Sequence, residues 1–159
     1  MQQTIQIGKT QWTAIQEPDK EIIDNLAKEY GIHEVIVDDL MEINAQSKID
    51  SNSNHFFLAL TFTKYVENEQ KYILNELDVI IGDNYIITTT SMESKSFNEL
   101  CESIKKEAED INETYKTSPY YILYRVIDTF YDKTIKSLST SSKALITIQD
   151  SIADRKIEK

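Results

Sequence analysis

Apolar residues recur along this chain with two different periods, and the changes of period divide it into elements. In the run from His55 to Val66, HFFLALTFTKYV, the period is two. Phe56, Leu58, Leu60 and Phe62 share one face, and Phe57, Ala59, Thr61 and Thr63 share the other. Both faces are mostly apolar at the start, which predicts a central strand covered on both sides. Residues 2–7 alternate loosely and predict an edge strand. Thr10 to Ile15 reads as a second short strand carrying Trp12. Lys48-Ile49 reads as a third, set off from the long strand by the turn-rich SNSN at 51–54. Residues 72–81 and 85–90 predict two more strands joined at Gly82-Asp83-Asn84, a good hairpin signal.

Elsewhere the period lengthens to that of a helix. Pro18 stands where a first-turn proline belongs. Ile22, Ile23, Leu26, Ala27 and Tyr30 follow at helical spacing, and Gly31 stops the helix. Residues 34–42 predict a second short helix that buries Val35, Ile36 and Leu40 and keeps Asp38 and Asp39 on its more polar side. Phe97, Leu100, Cys101, Ile104, Ala108, Ile111 and Tyr115 mark one stripe of a long amphipathic helix. Ser118-Pro119 opens the last element, with Ser as cap and Pro at the first helical position.

Along that last element Tyr131, Leu138, Leu145 and Ile152 recur at seven-residue spacing, interleaved with Ile127, Thr134, Ser141 and Ile148. This is the rhythm of a helix packed along another helix. Thr134 and Ser141 weaken the seam, and the run SLSTSS at 137–142, of modest helix propensity, marks a candidate hinge. The final residues have no obvious core to join. The sum is an α+β fold: a mixed β-sheet packed between helices, an α/β/α sandwich, with a long C-terminal stalk-like helix.

Composition bounds the function. The chain has 159 residues, 40% of them hydrophobic, enough for one domain with a real core. Its 27 acidic against 17 basic residues give a net charge of −10. A field of that sign repels nucleic acid and anionic lipid and attracts cations; it also simply keeps a protein soluble. A single cysteine, Cys101, excludes an internal disulfide and fits a reducing compartment. The N-terminus lacks the apolar run of a signal peptide. The apolar runs fall far short of the roughly 20 residues that cross a bilayer.

No nucleophile elbow, phosphate loop or dinucleotide fingerprint is present. His33 and His55 have no cysteine or second histidine at metal-ligand spacing, so a zinc site is not expected; His33, after the helix stop, reads as a cap or a packed residue. Cys101 falls on an apolar stripe and reads as a small core residue. Tyr115, Tyr120, Tyr121 and Tyr124 cluster at the start of the last helix, where such residues commonly seal a helix against a sheet. The chemistry that remains is carboxylate. The adjacent Asp38 and Asp39 can bind a hard cation, but Mg²⁺ usually takes one or two carboxylates and keeps several waters. Such a site is weak within one subunit and gains when a second subunit adds an acid. Asp128 and Asp132, four apart, share a helix face. For each of these acids a solvated helix surface is the competing reading.

The order and spacing of these pieces resemble the N-terminal cytoplasmic domain of the CorA-type magnesium/cobalt transporters. The pieces are Trp12, Pro18, Gly31-Ile32-His33, Asp38-Asp39-Leu40, Lys48, the strand FFLAL, the hairpin DVIIGDNYIITT and the helix YILYRVIDTFYD, and they span roughly Gln11 to Ile152. The resemblance implies an α/β cytoplasmic domain over 1–117 and, over 118–159, the start of a stalk helix that leads to the membrane. It implies pentamers with the pore on the axis, and intracellular Mg²⁺ that bridges neighbouring domains and holds the channel shut. Asp39 falls on the family's main bridging carboxylate, Asp38 beside it on an acid also implicated in divalent binding, and Asp128 on a third acid near the secondary site. The chain departs from the pattern at Glu34, where the family often has Pro, and at Gln46-Ser47-Lys48, where Arg-Pro-Lys is common. The partner acid of the stalk, the membrane helices and the Gly-Met-Asn pore signature would all lie beyond Lys159. The function implied is the regulatory domain of a divalent-cation transporter, not an enzyme. The alternative is a free-standing interaction module that associates through its C-terminal helix as a coiled coil.

Overall fold

The computed structural model describes residues 2–42, 46–51, 54–66, 69, 71–109 and 114–157, without the side chains of Lys64 and of residues 154–157. The described strands are β1 (Gln2–Ile7), β2 (Thr10–Gln16), β3 (Lys48–Ser51), β4 (Phe56–Val66), β5 (Lys71–Ile81) and β6 (Tyr85–Thr90). The helices are α1 (Lys20–Tyr30), α2 (Glu34–Met41), α3 (Lys95–Glu109) and α4 (Pro119–Ile157). The strands form one mixed sheet in the order β1-β2-β6-β5-β4-β3. β2 and β6 run parallel and the other neighbours antiparallel. The parallel join arises because the chain leaves β2, builds α1, α2 and the β3-β4-β5 meander, and returns through β6 to the strand it left.

Alternation along the strands assigns each side chain to one of two cores. On one face Leu58, with Phe56, Leu60 and Phe62 beside it, joins Trp12, Leu77, Val79 and Ile86 against α3 and α4. On the other face Phe57 and Ala59 join Ile15, Ile80 and Ile87 against α1 and α2. β4 is therefore covered on both faces as expected, although it stands one strand in from the β3 edge. Trp12 is fully buried, its ring edge-on to Phe97 at 6.0 Å between centroids. Its indole N–H donates to Thr88 Oγ1 at 3.0 Å, so the one polar atom of the ring is satisfied inside the core. Each fully buried side chain of this size contributes about 1.5–3 kcal/mol.

The ends of the helices follow local chemistry. Asp19 caps α1, its Oδ1 accepting from Ile22 N at 2.8 Å, and Gly31 closes it at φ +64°, a conformation glycine adopts without strain. Pro18 accordingly precedes the cap and is not the first helical residue. His33 caps α2, with Nδ1 accepting from Val35 N at 3.2 Å. Ile36 and Leu40 are buried on α2, but Val35 is 55% exposed, because it sits a third of a turn away from the face that meets the sheet. Ser118 caps α4 and Pro119 opens it, as expected.

α3 buries Phe97, Leu100, Cys101 and Ile104. The expected stripe continued to Ile111, which lies outside the described residues, and to Tyr115. Tyr115 instead falls on a 3-10 turn, Thr114–Thr117, and is exposed. Tyr120 and Tyr124 are exposed as well, so of the four tyrosines Tyr121 alone is drawn inward. α4 buries Ile122, Val126 and Phe130 in the core and then leaves it. It continues unbroken through 137–142, where the Thr140 and Ser141 hydroxyls donate to carbonyls one turn back. The candidate hinge is thus plain helix in this structure.

A polar clamp ties α4 to α3. Arg125 Nη1 donates to both carboxylate oxygens of Glu107 at 2.6 and 2.8 Å and to Tyr121 Oη at 2.9 Å, and Nη2 donates to Ser103 Oγ at 3.3 Å. Burial raises the pKa of the Glu107 carboxyl, but the hydrogen bonds and charge of Arg125 outweigh it and hold the group below its ordinary value. A depressed carboxylate contributes stability above its unfolded pKa and loses it as the pH falls through the folded one. Arg125→Ala should therefore cost about 1–3 kcal/mol at pH 7, the range for hydrogen bonds to charged groups, and less at pH 3. Urea melts at the two pH values check this; an equal loss at both would mean that the guanidinium acts by packing alone.

Candidate metal-binding carboxylates

Asp38 and Asp39 stand near the end of α2, on the layer that covers one face of the sheet. Asp38 is exposed. Asp39 turns inward and pairs with Lys48 at the start of β3, whose ammonium also lies 5.7 Å from the centre of the Phe57 ring. The first residue of β3 thus sets a lysine against the second acid of the pair.

Asp128 is exposed on α4. It borders a shallow groove of about 270 Å³ formed with Tyr120, Leu123, Tyr124, Ile127 and Tyr131. α4 packs in the opposite core from α2. The sheet therefore lies between Asp128 and the Asp38-Asp39 pair, and one chain does not bring the three acids together. Among the described residues, no three His, Cys, Asp or Glu side chains stand close enough to hold one metal ion.

Sequence reasoning passed over a fourth acid. Asp78, on β5, is 4% exposed. Its Oδ2 accepts from Thr89 Oγ1 at 3.1 Å, and its Oδ1 has no hydrogen-bond partner. The register explains its surroundings. Lys48, Ala59, Asp78 and Thr89 lie in one row across β3, β4, β5 and β6. Only the methyl group of Ala59 separates the lysine from Asp78, and the row faces the same layer as Asp39. Burial, then the charge of Glu76, push the Asp78 carboxyl up to about 8; Asp39 adds to the rise, while Thr89 and Lys48 oppose it. The available signal was one acid in an otherwise apolar strand segment, LDVII.

The mixed sheet with two helices on each face and an over-long last helix is that of the soluble domain of a CorA-type transporter. The family model described as CorA-like Mg²⁺ transporter protein matches residues 8–159, and the chain belongs to that family. It is 18% identical over 135 residues to the cobalt/magnesium transport protein CorA of Thermotoga maritima, a match covering 85% of this chain and 38% of that protein. The chain thus spans well under half of that relative's length. Two solved structures from Methanocaldococcus jannaschii share the fold at 16% identity. One is the soluble domain of CorA, with a TM-score of 0.72 over 91% of this chain and 56% of that one. The other is the complete CorA magnesium transporter, with a TM-score of 0.69 over 91% and 44%. The cytoplasmic domain of ZntB from Vibrio parahaemolyticus is also similar, at 16% identity, with a TM-score of 0.64 over 89% of this chain and 55% of that one. Among the described residues no helix is long and apolar enough to cross a membrane.

Asp78 makes a prediction about pH. Its folded pKa of about 8 exceeds the free value of 3.8. Between those limits the folded chain keeps a proton that the unfolded chain has released, so stability falls as the pH rises through the window and levels off above it. Each unit of difference is worth about 1.4 kcal/mol. Asp78→Asn, which keeps an acceptor for Thr89, should raise the melting temperature clearly at pH 8.5 and far less at pH 5. Equal gains at the two pH values would show that Asp78 ionises in the fold as it does in water.

Proposed function

We propose that this chain is the cytoplasmic regulatory domain of a CorA-like divalent-cation transporter, and that it senses intracellular Mg²⁺ through carboxylates at the contacts between copies, with Co²⁺ as a second candidate ion. On this reading residues 1–117 form the sensing domain and residues 118–159 begin a stalk that leads to membrane segments beyond Lys159. The domain lies on the cytoplasmic side of the membrane, binds no nucleic acid and catalyses no reaction. Copies associate as a homo-oligomer, a pentamer by analogy with the family.

The observation that supports it best is the separation of the acids. Asp39, with Asp38 beside it, stands on one helical layer and Asp128 on the other, and among the described residues no three acids converge within one chain. A divalent ion held by these residues needs ligands from a second copy. Lys48 bears on the role of Asp39: it orients that carboxylate through an ion pair, and a metal that shares the carboxylate must compete with that ammonium. Apolar side chains flank Asp128 and continue along α4 as exposed Tyr131, Leu138, Leu145 and Ile152, a surface that a neighbouring copy would cover.

Metal bound only between copies stabilises the assembly by RT ln(1 + [L]/Kd), which is about 1.4 kcal/mol at tenfold saturation. Falling metal then releases the assembly. Sedimentation of this chain should show association that grows with millimolar Mg²⁺, and Asp39→Ala should remove the growth. Identical profiles with and without Mg²⁺ would defeat the sensing role for this domain.

A second reading rests on the exposed seven-residue spacing of α4: a free-standing interaction module that pairs through this helix as a coiled coil. Leu145→Glu separates the two. It should abolish association in any metal concentration under the coiled-coil reading. Under the sensing reading it should leave a Mg²⁺-dependent component.

A further inference from the structure

Where α4 leaves the core, a cavity of about 230 Å³ opens between it, the outer half of the β4–β5 pair and the start of α3. Phe62 and Phe130, with ring centroids 5.2 Å apart, give it an apolar wall. Its polar lining includes Asn75, Ser94, Lys133 and Lys136, and no acidic side chain is among its lining residues. That is a departure in a chain of 27 acidic and 17 basic residues. Glu93, next to Ser94 in sequence, is exposed and does not line it.

Two lysines at a surface would not make this a site. The second observation is a pair of buried groups whose protons are unspent. Asn75 is 5% exposed and stands across from Phe62 on the α3–α4 face of the sheet. Its Oδ1 accepts from Ser91 Oγ at 3.2 Å, and its amide nitrogen, Nδ2, has no hydrogen-bond partner among the described residues. Unlike Asp78 Oδ1, that nitrogen is not sealed from solvent, and Asn75 lines the cavity. Ser94, 6% exposed, caps α3: its Oγ accepts from Phe97 N at 3.3 Å and from the Lys133 ammonium. Both lone pairs of that hydroxyl are engaged and its proton is not.

Buried donors in folded proteins find acceptors. Both buried groups left open here are donors, so the lining is complementary to acceptor oxygens. A carboxylate brings two of them with a single charge, which costs less to desolvate than a multiply charged group. Its bonds to Asn75 and Ser94 are charge-assisted, and Lys133 and Lys136 set ammonium groups beside it. Phe62 and Phe130 receive an apolar body. The volume falls below the roughly 300–1,000 Å³ of sites for drug-sized ligands, which limits that body to about one ring. We propose that this cavity binds a small organic anion, a carboxylate on a compact apolar body, with Asn75 Nδ2 and Ser94 Oγ as its inner donors. The ligand joins β5, α3 and α4 on the face opposite the Asp38-Asp39 pair. The site draws on none of the acids of the metal-sensing reading and stands whether or not that reading holds.

The test is an NMR titration of the 159-residue chain at pH 7 and constant ionic strength, with sodium benzoate, benzamide and sodium acetate in separate arms. Benzoate should give saturable shifts in the Asn75 side-chain amide and in the backbone amides of Ser94 and Lys133. Benzamide has the same shape without the charge, and acetate has the charge without the ring. Each should bind about tenfold more weakly than benzoate. Lys136→Gln, exposed and no threat to folding, should weaken benzoate about threefold. Asn75→Asp, which keeps an acceptor for Ser91 and puts a like charge where the donor stood, should weaken it about tenfold or more. Benzoate that fails to saturate overturns the proposal. So does benzamide or acetate that binds as well as benzoate, or wild-type affinity in both variants.

Discussion

The fold depends on one demand: the strands β4, β5 and β6 carry large apolar side chains on both faces, so both faces must be covered. Phe57 and Leu58 are neighbours in sequence and members of different cores. Two helices on each side meet the demand, and the parallel return of β6 onto β2 lets one short chain place α1 and α2 on one face and α3 and α4 on the other. Function inherits this geometry. Helices on opposite faces carry their carboxylates apart, which is why Asp39 and Asp128 cannot meet within one chain. An arrangement made for burial thereby keeps these acids apart within a single copy.

Within one face, the electrostatics turn on a small residue. Ala59 lies between Lys48 and Asp78 in the row that crosses the sheet. Neighbouring strands are about 4.8 Å apart. The field of the lysine reaches the buried acid along this row while its ammonium holds Asp39. The lysine thus serves an exposed helix and a buried strand at once, and it opposes the rise in the Asp78 pKa without cancelling it.

Much of this was legible in the sequence because it follows from period. The two faces of FFLAL, the hairpin at Gly82-Asp83-Asn84, the Gly31 stop, the Ser118-Pro119 start and the His33 cap all stand where the residue pattern puts them. The family resemblance carried the rest of the architecture, and it placed Asp38, Asp39 and Asp128 as candidates whose metal role the fold neither supplies nor removes. What escaped was decided by tertiary position. Pro18 stands two positions ahead of the first helical residue, Lys20, because Asp19 serves as the cap. Val35 is apolar but points away from the sheet. Tyr115 belongs to the turn that re-aims the chain into α4. Asp78 was unreadable for a deeper reason: one acid within an apolar strand looks like an outward-facing position, and only the register with Thr89 and Lys48 shows that it faces a covered side.

The last helix raises a question of energetics that the domain cannot answer for itself. Beyond Phe130 α4 runs on for 27 residues to Ile157, about 40 Å, with Leu138, Leu145, Ile148 and Ile152 all exposed. Helices in proteins draw most of their stability from packing of an apolar face, and propensity alone is marginal. Here the serine-rich stretch 137–142 lowers propensity where the packing is absent, and the hydroxyls that donate to carbonyls one turn back satisfy themselves without adding a partner. Order in this segment is thus coupled to whatever covers its stripe. If copies of the chain cover it, metal held between the domains and apolar contact along the stalk act on the same association equilibrium. Each lowers the concentration at which the other suffices, so a weak carboxylate site can control an assembly that neither interaction would hold alone.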